Sequence, residues 1–267
     1  TWIKALATGR KVGVYCSDVS GAFDRVCMER LVAKLKKKGL HPQIIAFLRS
    51  WLEARLATVV VNGTTSDEMP LRNMVFQGTV TGPILWNLFF EDARHAINEC
   101  FFDEIAFADD LNSYCIYSSA TQNCIIKDAM TNCQHELHKW GAANQVAFDA
   151  DKESQHILSL SQPEGSEFKL LGVLFDTELS MAHAVAELVS SACWKLRTLL
   201  RTKRFYTDSD LIVLYKAHLL SYLEYRTPAI YHATRAVLRR LDGVQRNFSH
   251  DIGVDEVTAL LHFHLAP

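Results

Sequence analysis

Apolar residues are spaced in two ways along the chain. Up to about residue 175, short apolar runs alternate with stretches of helical spacing; after Ser180 only helical spacing is left. Val12-Gly13-Val14-Tyr15-Cys16 predicts a short buried strand that ends at Asp18, with Gly21 breaking it. Leu31, Val32 and Leu35 predict a helix over 28–38, stopped by Gly39. Pro42 can open the next helix, whose core side would carry Ile44, Ile45, Phe47, Leu48, Trp51 and Leu52. The segment 57–65 reads as a hairpin turning at Asn62-Gly63. A loop with Gly78 and Gly82 then feeds a helix from Pro83 to about residue 98.

The run Ile105-Ala106-Phe107-Ala108 and the apolar stretch 111–117 flank Asp109-Asp110, which predicts a hairpin with two acids at its tip. A helix follows over 121–140 and a strand over 155–160. The segment 168–175 reads as a hairpin with Gly172 in one strand, where it permits a bulge or a close backbone approach. Three helices close the chain, at 182–200, 209–225 and 229–248. A subdomain boundary is expected near 177–181, leaving 1–178 as a mixed domain and 179–267 as a helical one.

Hydrophobic content of 49% with 22% charged residues fits a globular protein with a substantial core. No apolar run approaches the length of a membrane span, so no membrane partner is expected. The seven cysteines are odd in number and form no Cys-x-x-Cys pair. That argues against a disulfide framework or zinc site and for a reducing, intracellular compartment. The chain opens on Thr1 without an initiator Met or signal layout, so a fragment of a longer chain is expected. Net charge is −2, but residues 195–246 hold eleven Lys or Arg against four Asp or Glu, which is +7 and leaves −9 for the rest. An acidic body joined to a basic part suits a metal site beside a surface that meets phosphate backbones.

Adjacent carboxylates repel, and as a solvated turn they need no further reason; a second acid arriving from elsewhere changes that. Asp18, at the end of a buried strand, is that acid. Three converging carboxylates can hold two divalent ions for an in-line phosphoryl displacement. The residues alone leave polymerase, cyclase and nuclease open.

Three stretches narrow the choice: Asp18-Val19-Ser20-Gly21-Ala22-Phe23-Asp24, Gln77-Gly78-Thr79-Val80-Thr81-Gly82-Pro83 and Phe107-Ala108-Asp109-Asp110. In order and spacing they resemble motifs A, B and C of reverse transcriptases of the non-LTR, LINE-like retrotransposons. Lys152 resembles the motif D lysine and Leu170-Leu171-Gly172-Val173 the motif E primer grip; His183 fits the same lineage. The resemblance implies an α+β palm, an antiparallel sheet packed on helices, over 1–178 and a helical thumb over 179–267. It implies RNA-directed DNA polymerase activity using two Mg²⁺ ions, or Mn²⁺, with an RNA template, a DNA primer and deoxynucleotides as partners.

By the same resemblance, Asp18, Asp109 and Asp110 would ligate the metals, with the Val19 carbonyl assisting. Phe23 would be the steric gate against a 2′-hydroxyl. Gln77 and Gly78 would line the nucleotide and template pocket, and Lys152 would neutralise or protonate the leaving pyrophosphate. Leu171 and Gly172 would press on the primer, while Lys195, Arg197, Arg201, Lys203 and Arg204 would track the template–primer backbone. The lineage further implies work in the nucleus and in cytoplasmic ribonucleoprotein.

There are departures. Phe76 stands where the family usually has Pro, and Thr81 where an apolar residue is common. The fingers that precede motif A are almost wholly absent, as are endonuclease segments, which a longer parent chain would supply. Two other readings therefore stand beside the first: an inactive nucleic-acid-binding remnant, and another palm enzyme such as an RNA-dependent RNA polymerase.

Overall fold

A computed structural model describes all residues except 54, 72–73, 256–257 and 260–267. The chain divides into two compact units: residues 4–164 with Trp2, and the chain from Gly165 onward with Thr1 and Ile3.

The first unit begins with the short helix α1 (Trp2–Ala7), which the sequence pattern did not indicate, and strand β1 (Lys11–Ser17). Every residue of β1 is buried, which suits the run Val12–Cys16; at its ends, buried Lys11 donates to the Thr121 carbonyl at 2.9 Å and Ser17 to the Leu111 carbonyl. Helices α2 (Met28–Lys37) and α3 (Pro42–Leu52) form where expected, but the core face of α3 is narrower than its apolar positions imply: Ile45, Leu48 and Leu52 are buried, while Ile44 and Phe47 face outward. Strand β2 (Arg55–Ala57) pairs with β5 (Met69–Leu71), and between them β3 (Val60–Val61) and β4 (Thr64–Thr65) turn at Asn62-Gly63. Helix α4 (Gly82–Glu99) leads to the hairpin β6 (Asp103–Phe107) and β7 (Asp110–Tyr117), then to helix α5 (Asn123–Asn144) and strand β8 (Ser154–Leu158). The main sheet runs β6-β7-β1-β8, antiparallel throughout. One core unites it with the helices: Tyr15 and Leu111 from the sheet join Leu31, Leu48, Phe89 and Met130 from α2 to α5. This is the expected α+β architecture.

A half-buried ion pair ties three helices together. Lys34 of α2 donates to Asp92 and to the Phe89 carbonyl of α4, both at 2.6 Å, and its ammonium lies 4.3 Å from the Phe89 ring and 5.0 Å from that of Trp140 on α5. Trp140 Nε1 donates to the same Asp92 oxygen at 3.0 Å. Burial pulls the Lys34 pKa down despite Asp92.

Helix α5 runs four residues beyond the expected end at 140, through Gly141, and stops when Gln145 takes φ 62°. The chain folds straight back on the helix end. A Cβ on Gly141 would stand 2.7 Å from the Val146 carbonyl and 2.9 Å from the Phe148 ring. Gly141→Ala gains up to about 1 kcal/mol of helix propensity, yet overpacking against backbone costs about 1–3 kcal/mol. We expect a net loss of stability, read as a lower denaturation midpoint in urea.

The second unit begins with a hairpin, β9 (Phe168–Leu170) and β10 (Val173–Phe175). Helix α6 (Ala182–Arg201) follows, then α7 (Asp208–Tyr215), a π-helical turn at Lys216–Leu220, α8 (Ser221–Glu224), α9 (Thr227–Ile230) and α10 (Arg235–Ile252). Two expectations need correction. Gly172 is not inside a strand: Leu171 and Gly172, at φ 49° and 76°, are the two-residue turn between β9 and β10, as a twisted hairpin requires. The helix expected over 229–248 is two helices, because the chain leaves the helical path after Tyr231 and Thr234 takes ψ 150° at the head of α10. The contacts also divide the chain at 164/165 and not near 178. Val173 of the hairpin is buried with Val185, Leu188 and Ile230, so the hairpin shares a core with the helices.

Candidate active site

Residue pairing sets the geometry. Ser17 of β1 lies opposite Leu111 of β7, which places Asp18 at one strand end beside Asp110, the first residue of the neighbouring strand. Ser17 Oγ donates to the Leu111 carbonyl and ties the two ends together. Phe107 pairs with Asp110, so Ala108 and Asp109 are the two turn residues of the β6–β7 hairpin. The sequence reading put both acids at the tip; one is at the tip and the other opens the strand.

Asp18, Asp109 and Asp110 are all half-buried. Burial raises the Asp110 pKa, and the charges of Asp109 and Asp18 raise it further, with Lys152 opposing them. The three acids therefore share one electrostatic neighbourhood. Among the described residues, no three His, Cys, Asp or Glu side chains form a ready-made cage for a metal ion. One oxygen of Asp18 is taken instead by the Lys152 ammonium, at 2.9 Å. The donors fit divalent cations in kind: carboxylate oxygens with mutual repulsion that a hard cation would relieve, and an exposed ammonium acting as counter-ion to one of them.

Lys152 is brought to Asp18 by backbone. Asp149 N donates to the Asp18 carbonyl at 3.0 Å, Ser20 N donates to the Ala147 carbonyl at 2.9 Å, and Val19 bridges to Phe148. Lys152 N then donates to the Asp149 carbonyl, and its ammonium stands 3.5 Å from the Asp149 carboxylate. Asp18 first and Asp149 second hold the Lys152 pKa above its ordinary value.

Two positioning residues here escaped the sequence reading. Asp149 is one, and the spacing Asp149 to Lys152, one turn of chain, was its only signal. Glu153 is the other: its carboxylate accepts from the Tyr15 hydroxyl, from Gln134 Nε2 at 2.9 Å, and lies 2.8 Å from His138 Nε2. This buried anchor fixes the loop behind Lys152. A lone Glu after a Lys gave no sign of it.

Phe23 sits in a short 3₁₀ turn at Ala22–Arg25, entered through Gly21 at φ 64°. Its ring stacks on Trp86 of α4 at 5.8 Å and its carbonyl accepts from Val75 N at 2.8 Å. Gln77 and Gly78 form an exposed turn, with Gly78 at φ 80°. The following loop is tight: Thr79 Oγ1 donates to the Phe76 carbonyl at 2.7 Å, and a Cβ on Gly82 would meet that same oxygen at 2.7 Å. Phe76 has its own reason. Its ring packs edge-on against Trp51 at 6.0 Å and carries the Arg55 guanidinium at 4.0 Å. Cys16, buried beside Asp110, has its thiol pushed up to about 12 by burial and is inert as a nucleophile.

In the second unit, the Tyr225 hydroxyl donates to the Leu171 carbonyl at 3.0 Å and steadies the Leu171-Gly172 turn. Arg197, Arg201 and Arg204 are exposed. Lys195 lies over the Tyr222 ring at 4.9 Å, and Lys203 donates to the Asp251 carbonyl at the end of α10.

Comparison with known proteins points one way. Residues 4–175 match the sequence profile of the family described as reverse transcriptase (RNA-dependent DNA polymerase). The chain is 24% identical over 263 residues to the RNA-directed DNA polymerase from mobile element jockey of Drosophila funebris, covering 91% of this chain and 28% of that protein. It is 26% identical over 212 residues to the probable RNA-directed DNA polymerase from transposon X-element of Drosophila melanogaster, covering 71% of this chain and 22% of that protein. The chain thus spans under a third of either relative. Among solved structures, telomerase from Candida albicans in complex with a fragment of telomeric RNA superposes with a TM-score of 0.51 at 11% identity, covering 96% of this chain and 50% of that one. At that identity the likeness is one of fold.

Proposed function

Because the chain belongs to the reverse transcriptase family, we propose that it is the palm and thumb of a non-LTR retrotransposon polymerase, extending a DNA primer on an RNA template with deoxynucleotides. The observation that supports this most is the strand pairing that sets Asp18 beside Asp110 and one residue from Asp109. Asp18, Asp109 and Asp110 would hold the divalent ions, Mg²⁺ or Mn²⁺, with the Val19 carbonyl beside them. Such ions supply Lewis-acid stabilisation of charge on phosphoryl oxygens.

The chain's own residues supply position and charge. Phe23 walls the sugar site, Gln77 and Gly78 line the nucleotide pocket, and Lys152 moves from Asp18 to meet the negative charge of the leaving pyrophosphate. Leu171 and Gly172 press on the primer, and Arg197, Arg201, Arg204, Lys195 and Lys203 meet backbone phosphates. Palm and thumb fall to the two units, with the primer-grip hairpin carried by the second. No helix among the described residues is long and apolar enough to cross a membrane. The working compartment under this reading is the nucleus, with ribonucleoprotein in the cytoplasm.

The test is primer extension by the full-length protein on an RNA template. Template-directed deoxynucleotide incorporation is expected. Binding of template–primer with no incorporation in Mg²⁺ or Mn²⁺ would make the chain an inactive binding remnant, and preference for ribonucleotides would make it a different palm enzyme. Within an active protein, Lys152→Ala is expected to lower kcat by about 10²-fold, the usual scale for a positioned proton or charge donor, with KM for the nucleotide changed far less. Single-turnover kinetics read that split.

A further inference from the structure

Ala108 is the strained point of the acid-bearing turn. Its φ of 54° lies in the left-handed region, which a residue with a Cβ enters at a cost and glycine enters freely. The carbonyl of this same residue accepts a hydrogen bond from the indole Nε1 of Trp86 at 2.9 Å. Trp86 comes from the second turn of α4 and is 1% exposed. Two rings stack on its indole, Phe90 at 4.7 Å and Phe23 at 5.8 Å. One side chain therefore touches the aromatic wall of the sugar site and grips the turn that carries Asp109. A phenylalanine would fill most of the same space without the donor.

Resting on the function proposed above, we infer that Trp86 is a positioning residue: its indole N–H holds the left-handed Ala108 turn and so aims Asp109 and Asp110 towards Asp18. Trp86 acts through the turn and meets no substrate. Because the N–H and not the ring is the working part, Trp86→Phe isolates it. Because the task is to hold an alanine in a conformation glycine accepts, Ala108→Gly in the same protein should make the hydrogen bond dispensable.

Four variants of the full-length protein test this: Trp86→Phe, Ala108→Gly, the two combined, and Asp109→Ala. Each is read by dTTP incorporation on a poly(rA)·oligo(dT) template–primer and, independently of activity, by Mn²⁺ binding followed by electron paramagnetic resonance. One neutral, partly buried hydrogen bond is worth up to about tenfold. Trp86→Phe is therefore expected to lower kcat by about tenfold, leave KM for dTTP within about twofold, and weaken Mn²⁺ binding several-fold, with the double variant regaining most of both losses. Thermal melting of the two Trp86→Phe proteins should agree, which separates turn geometry from folding. Trp86→Phe matching the parent in both readouts, or a loss that Ala108→Gly does not restore, would overturn the inference and leave the indole as core filling. Asp109→Ala matching the parent in both readouts would instead overturn the proposed function, and the inference with it.

Discussion

Asp109→Ala in the full-length protein is expected to cut deoxynucleotide incorporation by at least about 10³-fold, which is about 4 kcal/mol of transition-state stabilisation. The physical ground is charge. Asp110 already feels Asp109 and Asp18 as neighbours, and burial adds to the strain of keeping three carboxylates ionised together. A divalent cation converts that repulsion into attraction, and removing one carboxylate removes both a ligand and the anionic field. Asp109 is the second residue of a two-residue turn and is half-buried, so its loss should spare the fold. Template–primer binding should survive, because phosphates would be met by the basic residues of the second unit. Incorporation by Asp109→Ala within about tenfold of the parent would mean that the acids serve another purpose.

The second large effect concerns the sugar. Phe23→Val is expected to raise the use of ribonucleotides relative to deoxynucleotides by about 10²-fold, the scale at which a pocket's shape rejects one added group. The Phe23 ring stacks on Trp86 and its carbonyl accepts from Val75 N, contacts that would hold it in place as the proposed wall. Valine keeps an apolar surface against Trp86 while withdrawing the outer part of the ring. The stacked pair itself is worth about 0.5–1.5 kcal/mol, so some stability is lost and deoxynucleotide use should fall modestly. The ratio of kcat/KM for rUTP and dTTP decides the matter. An unchanged ratio would reduce Phe23 to a packing residue.

Much of this site was legible in the chain because its parts are local. Strand β1 advertises itself by five apolar residues in a row, and it is buried along its whole length as the centre of the sheet. The Asn62-Gly63 turn and Pro42 at the head of α3 are chemical signatures that tertiary structure left alone. The α+β class and the family came from the resemblance of the stretches 18–24, 77–83 and 107–110, each of which is local in the chain.

What escaped depends on residues far apart in sequence meeting in space. Trp86 and Ala108 are 22 positions apart, and nothing in either stretch announces an indole donor meeting a left-handed alanine. Tyr15 and Glu153 are 138 apart, and their contact fixes the loop behind Lys152. Gly172 read as a strand residue because its hairpin is only three residues long on each side, too short for alternation to locate the turn. The helix expected to end at 140 instead runs on through Gly141, although glycine has low helix propensity. Here it continues the helix because Val146 needs the room that a Cβ would take.

The claim on which the account rests is that Asp18, Asp109 and Asp110 bind the same metal ions. A crystal structure of the full-length protein with template–primer and Mn²⁺, phased on manganese, measures this directly. Anomalous density shared by the Asp18 and Asp109 carboxylates, with the Lys152 ammonium displaced from Asp18, is the predicted result. Manganese bound elsewhere, with Lys152 still paired to Asp18 and no ion bridging it to the β6–β7 turn, would contradict it.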